Sequence, residues 1–121
     1  MDKLLCGRRI LVVEDETLIS MMIESMLEDL GCESVTAAAT VDKALSLING
    51  QVFDAAMVDM NMNGNTSHSV AEALVAHGVP FIYCSGNNSQ KARDVLHPRP
   101  ILKKPFRDEE LAKILTDLLN L

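Results

Sequence analysis

Three acids stand together at Glu14-Asp15-Glu16, directly after the apolar run that ends at Val13. A fourth, Asp59, closes a second such run, Phe53–Asp59. Carboxylates brought close together repel one another, so a cation is expected among them. An all-oxygen donor set with a solvent-accessible rim suits Mg²⁺. A hydroxyl follows a third run at Ser85-Gly86, and ammonium groups follow a fourth at Lys103-Lys104-Pro105-Phe106. Each feature is weak by itself. Acids before a helix favour its positive dipole end, a serine after a strand is commonly a turn residue, and a lysine is commonly solvated. At four strand ends together they make a phosphoryl-transfer site. The metal and a lysine neutralise phosphoryl oxygens, and one carboxylate acts as the nucleophile that forms an aspartyl phosphate.

The rest of the chain must bring those four ends side by side. Strand-like and helix-like segments alternate, which predicts an α/β domain with a parallel sheet. The first strand is Arg9–Val13, a continuous run suited to burial on both faces. The first helix runs from about Glu16 to Leu30, with an apolar stripe of Leu18, Met22, Ile23, Met26, Leu27 and Leu30 and Gly31 as its C-terminal cap. A weak second strand covers Glu33–Ala37. Thr40 caps a second helix whose apolar face is Val41, Ala44, Leu45 and Ile48, ended by Gly50. The third strand, Phe53–Asp59, is followed by the polar stretch Asn61–Ser67, read as loop. The third helix is about Ser67–His77, ended by Gly78, and the fourth strand is Pro80–Ser85. A fourth helix at about Gln90–Leu96 has the poorest stripe. The fifth strand, Ile101–Lys103, lies between Pro100 and the fifth helix, about Asp108–Leu119. Five βα units result, a (βα)5 doubly wound sheet of strand order 2-1-3-4-5. In such a sheet ligands bind beyond the carboxyl ends of the strands, where the strand order reverses. Strands one and three are neighbours there, so Glu14, Asp15 and Asp59 converge in one small pocket.

Composition narrows the function classes. The 121 residues suit one domain, 1–121, with no spare sequence for an output domain. The chain is 48% hydrophobic and 23% charged, ordinary values for a folded domain. Aromatics are only 3%, namely Phe53, Phe81, Tyr83 and Phe106, too few for a base-stacking surface. The net charge is −6, unevenly placed: residues 1–90 hold 4 basic and 12 acidic side chains, residues 91–121 hold 7 and 5. Direct nucleic-acid binding by the whole domain is disfavoured. No apolar run approaches a membrane span, and the start is too short and polar for a signal peptide. A cytoplasmic location follows, with Cys6, Cys32 and Cys84 as reduced, buried thiols. His68, His77 and His97 have no partner at ligand spacing and read as solvated or structural. Met21, Met22 and Met26 read as core or near-core, although an exposed part of the first helix, such as Leu18 or Met21, would suit docking by a partner helix.

The ordered set Ile10-Leu11-Val12-Val13-Glu14-Asp15-Glu16, Val58-Asp59, Ser85-Gly86 and Lys104-Pro105-Phe106 resembles the receiver domains of two-component response regulators, over essentially residues 8–120. The resemblance implies the flavodoxin-like receiver fold. It implies Asp59 as phosphoacceptor, Asp15 as a direct Mg²⁺ ligand, Glu14 acting through water or in support, and the backbone carbonyl of Asn61 completing the metal site. It implies Ser85 as the switch hydroxyl and Lys104 as the phosphate-pairing lysine, with a cis bond to Pro105. Pro80-Phe81-Ile82-Tyr83-Cys84-Ser85-Gly86 further resembles the Pro-Phe-x-Phe-Ala-Thr-Gly segment of the "FAT GUY" receivers, a group typical of alphaproteobacteria that includes stand-alone regulators. Asp59-Met60-Asn61-Met62-Asn63-Gly64 fits the same group. Two positions depart from common receivers. Asn63 replaces a proline, and Ile101, read as core, replaces the aromatic switch residue.

The function expected is a phospho-receiver. It takes phosphate from a histidine kinase or histidine phosphotransfer protein onto Asp59 and signals by protein contacts to a downstream protein target, a homodimer being one further partner form. It is a switch with autocatalytic phosphorylation and dephosphorylation rather than a metabolic enzyme. Two alternatives stand beside it. A small Mg²⁺-dependent phosphohydrolase would need a second acid two residues after the nucleophile, where this chain has Asn61. A phosphate-independent interaction module would have no use for the five site residues.

Overall fold

The computed structural model describes residues 5–62, 65–85 and 99–120. In chain order the elements are β1 Arg9–Val13, α1 Thr17–Asp29, β2 Ser34–Ala38, α2 Val41–Gly50, β3 Ala55–Asp59, β4 Asn61–Met62, β5 Asn65–Thr66, α3 His68–Ala76, β6 Phe81–Ser85, β7 Ile101–Lys103 and α4 Asp108–Leu119. Five strands form one sheet in the order β2-β1-β3-β6-β7, and all four pairings are parallel. Counting only the strands of this sheet, the order is the expected 2-1-3-4-5. The fourth expected helix, about 90–96, lies outside the described residues.

The sheet is buried on both sides because its inner strands are mainly apolar between their polar end residues Arg9, Asp59 and Ser85, so the two-residue alternation feeds two cores. Leu11 and Val13 of β1, Ala56 and Val58 of β3, and Phe81 and Tyr83 of β6 face one core. Ala44 and Ile48 of α2 and Val70, Ala71 and Leu74 of α3 complete it. Ile10 and Val12, Ala55 and Met57, and Ile82 and Cys84 face the other, closed by Ile23 and Leu27 of α1 and Leu111 and Leu115 of α4. Phe81 and Tyr83 meet edge to face with centroids 5.5 Å apart, a favourable quadrupole geometry.

Local signals set most element ends. Thr40 Oγ1 accepts from Lys43 N–H at 3.1 Å and so caps α2. Gly31 and Gly78 follow α1 and α3 with φ of 92° and 70°, the left-handed conformation that closes helix C-termini. Glu110 Oε1 accepts from Arg107 N–H at 2.9 Å at the start of α4.

Four expectations need correction. The buried stripe of α1 is Ile23 and Leu27, with Ile19, Met26 and Leu30 partly buried. Leu18, Met21 and Met22 are 77%, 57% and 56% exposed. Seven of its thirteen residues are apolar, and they spread over a wide arc of the helix, so its periodicity leaves the rotation about its own axis open. The stretch after Asp59 is not all loop: Asn61 pairs with Thr66 and Met62 with Asn65 in an antiparallel ribbon, β4–β5. The Asn63-Gly64 dipeptide was the available sequence signal for such a hairpin. Ile101 is 41% exposed rather than core, because β7 is an edge strand and only Leu102 of its three residues is buried. Of the thiols only Cys84 is buried; Cys32 is half-buried and Cys6 exposed.

Candidate functional site at the carboxyl ends of the strands

The parallel register delivers the site residues to one edge of the sheet. Glu14 follows β1, with its N–H donating to Ala38 O at the end of β2 at 3.0 Å. Asp59 is the last residue of β3 and pairs in register with Cys84 of β6, and Met60 N–H donates to Cys84 O at 3.0 Å. Ser85, buried at the end of β6, is one residue beyond that pairing and aligns with Lys103. Lys104 N–H donates to Ser85 O at 2.7 Å, which fixes the start of the lysine side chain beside β6. The Lys104–Pro105 bond is cis. Asn61 opens β4, two residues past Asp59.

Glu14, Asp15 and Asp59 each present an oxygen such that all of these atoms lie within 4.8 Å of one another. Glu14 and Asp59 are buried and Asp15 is half-buried. The donor set is all oxygen and one edge is open to solvent. That fits a hard divalent cation such as Mg²⁺ better than Zn²⁺, whose protein sites are built mainly on histidine nitrogen and cysteine sulfur.

Lys104 stands against this cluster. Its Nζ donates to Glu14 Oε1 at 2.7 Å and lies 3.5 Å from Asp59 Oδ2, with 14% of its side chain exposed. Burial pushes the ammonium toward deprotonation, but the hydrogen bond to Glu14 and the charges of Asp59 and Glu14 outweigh it. Lys104 is thereby held above its ordinary value and stays charged. The Cys84 thiol, in the register pair of Asp59, is pushed up to about 12, mainly by burial. It is a neutral core group.

The direct Glu14–Lys104 pair is the part of the site that sequence reasoning missed. It read Glu14 toward a metal and Lys104 toward a phosphate. No short-range signal links residues 90 positions apart; only the topology does. A second feature missed is a cavity of about 440 Å³ beside Lys104, lined by Ile19, Met22 and Met26 of α1 and by Pro105 and Phe106. Exposed His77 bonds Asn49 Oδ1 through Nε2 at 3.1 Å, and His97 lies outside the described residues.

The comparisons with known proteins agree with this geometry. Residues 10–116 match the model of the response regulator receiver domain. SdrG from Sphingomonas melonis Fr1 is 40% identical over 93% of this chain and 97% of its own, with a TM-score of 0.82. The receiver domain of the sensor histidine kinase PA1611 from Pseudomonas aeruginosa PAO1, a structure with a magnesium ion coordinated in its active-site cleft, is 30% identical over 96% of this chain and 100% of its own, with a TM-score of 0.85. PhyR from Brucella abortus is 27% identical with a TM-score of 0.81; the match takes 98% of this chain but 51% of PhyR. No curated protein matches the chain. With the family's motif at four strand ends, its strand order and a family match over nearly the whole length, the chain belongs to the response regulator receiver domains of two-component systems.

Proposed function

We propose that this receiver accepts a phosphoryl group on Asp59 in a Mg²⁺-dependent step, and that a histidine kinase or histidine phosphotransfer protein donates it. One observation carries the reading: three carboxylates and one ammonium from three separate strand ends converge within hydrogen-bonding and ion-pair distances. In the transfer a carboxylate oxygen of Asp59 attacks phosphorus, the P–N bond to the donor imidazole breaks, and the imidazole keeps the electron pair. Asp15 and Asp59, with the Asn61 backbone and with Glu14 in support, would hold the Mg²⁺. The ion supplies charge neutralisation on the phosphoryl oxygens. Lys104 supplies a second positive charge on the same group, and the Ser85 hydroxyl a hydrogen bond. Asn61 leaves the phosphohydrolase reading without the acid it needs.

The donor's helix has a surface to meet. Leu18, Met21 and Met22 project from α1 beside the site, and the cavity next to Lys104 continues that apolar face. Methionine adapts well to a partner helix. The output is a signal through protein contacts.

Acetyl phosphate with Mg²⁺, followed by intact mass, tests the assignment. The wild type gains one phosphoryl adduct, and Asp59→Asn gains none. Labelling of Asp59→Asn at the wild-type rate would refute the site.

A further inference from the structure

The end of β1 opposite Glu14 carries a second polar constellation. Arg9, the first residue of β1, lines a cavity of about 410 Å³ together with the end of α2 (residues 48–50), the following Gln51 and Val52, and His77. No acid lines it, and Arg9 brings the only permanent charge. The Nε of Arg9 is buried and has no hydrogen-bond partner among the described residues. A buried donor in that state carries the cost of its desolvation until a group accepts from it. Asp54, the acid nearest to Val52 in sequence, turns its Oδ2 to the backbone N–H of Arg9 at 2.7 Å.

The end of α2 brings the opposite charge to the same cavity. The last four carbonyls of a helix have no donor within the helix, and its C-terminus carries about half a negative charge. Gln51 N–H serves the Leu47 carbonyl at 2.9 Å, and the last turn holds no basic residue. The remaining carbonyls belong to residues 48–50, which line the cavity. His77 Nε2 bonds Asn49 Oδ1 at 3.1 Å and so ties the end of α3 to that of α2. Val52, 75% exposed, offers an apolar surface beside them.

We propose that this cavity binds a free aliphatic α-amino acid as its zwitterion: Arg9 takes the carboxylate, the carbonyl end of α2 takes the ammonium, and the side chain lies on Val52. A phosphate dianion suits the cavity less well, because it meets a single permanent cation and the negative end of a helix. A simple cation meets the Arg9 charge. A ligand that carries both charges on one carbon answers the guanidinium and the helix end together. The site lies at the amino ends of the strands, away from Asp59, and does not depend on the phosphoryl-transfer reading.

Titrations followed by the Arg9 Nε–H signal and the amide signals of Gly50, Gln51 and Val52 test the idea. The probes are L-leucine, 4-methylpentanoate, which lacks its ammonium, and 3-methylbutylamine, which lacks its carboxylate, each at constant ionic strength. Leucine should shift these signals saturably with a Kd of about 1–10 mM, a range suited to so small a ligand. 4-Methylpentanoate should bind about threefold more weakly, and 3-methylbutylamine about tenfold more weakly or worse. Arg9→Met keeps the length of the side chain and should abolish leucine binding. Gln51→Lys, at an exposed position, sets an ammonium at the end of α2. It should weaken leucine about threefold and tighten 4-methylpentanoate, and it decides the matter alone if Arg9→Met does not fold. No saturable response to leucine by about 50 mM, 4-methylpentanoate binding as tightly as leucine, or leucine binding unchanged in Gln51→Lys or in folded Arg9→Met overturns the proposal.

Discussion

Two single-charge deletions in the acidic cluster should have unequal effects on stability. Glu14→Gln and Asp59→Asn each remove one of three mutually repelling carboxylates, so the relief of repulsion is similar and cancels in the comparison. What differs is the bond each carboxylate makes with Lys104. The ammonium lies 2.7 Å from Glu14 and 3.5 Å from Asp59. Coulomb's law at an effective dielectric constant of about 20 separates the two attractions by about 1.4 kcal/mol. The charge-assisted character of the shorter bond, and the Glu16 N–H that Glu14 also serves at 3.1 Å, raise the gap to about 2 kcal/mol. Asp59→Asn should therefore be as stable as wild type or more so in the absence of metal, and Glu14→Gln should lie about 2 kcal/mol below it. For a domain of this length that is a separation of roughly 6–10 °C in melting temperature. Thermal and urea unfolding with a chelator present give both numbers. Melting temperatures within a degree or two of each other, or Asp59→Asn as the weaker variant, would refute the argument that Glu14 is the principal partner of Lys104.

Alkaline pH should destabilise the domain. Burial raises Cys84 from 9.0 to about 12 and Cys32 from 9.0 to about 11. The unfolded chain then releases both protons first, and stability falls as pH rises above about 9, by about 1.4 kcal/mol per pH unit for each thiol. The raised value of Lys104 adds a loss only above 10.5. A Cys32→Ala, Cys84→Ala double variant should flatten the decline between about pH 9 and 10.5; urea midpoints that fall as steeply in that variant contradict the assignment. Leu111→Ala, at a fully buried position where α4 meets the sheet, should cost about 3 kcal/mol in urea unfolding, and a loss under 1 kcal/mol would mean that α4 is only loosely docked. Thr40→Ala should cost about 1 kcal/mol by leaving the Lys43 N–H without its cap; a Thr40→Ser change that cost as much would argue against the hydroxyl as the cause.

Much of this receiver was legible from local residue types. The uninterrupted apolar runs at β1, β3 and β6 announced strands buried on both faces, because a strand in a one-sided sheet would alternate. Glu14-Asp15, Asp59, Ser85 and Lys104 each follow such a run, and the parallel strand order obliges those ends to meet. Features that depend on contacts between distant residues were not legible. The rotation of α1, which buries Ile23 and Leu27 and leaves Leu18, Met21 and Met22 exposed, is decided by packing, since its apolar residues spread over too wide an arc to mark one stripe. The exposure of Ile101 follows from the edge position of β7, which only the assembled sheet defines. The Glu14–Lys104 bond joins the first strand end to the last. Each of the two residues had a plausible separate role, and only the fold, by burying a carboxylate where one ammonium could reach it, made them partners.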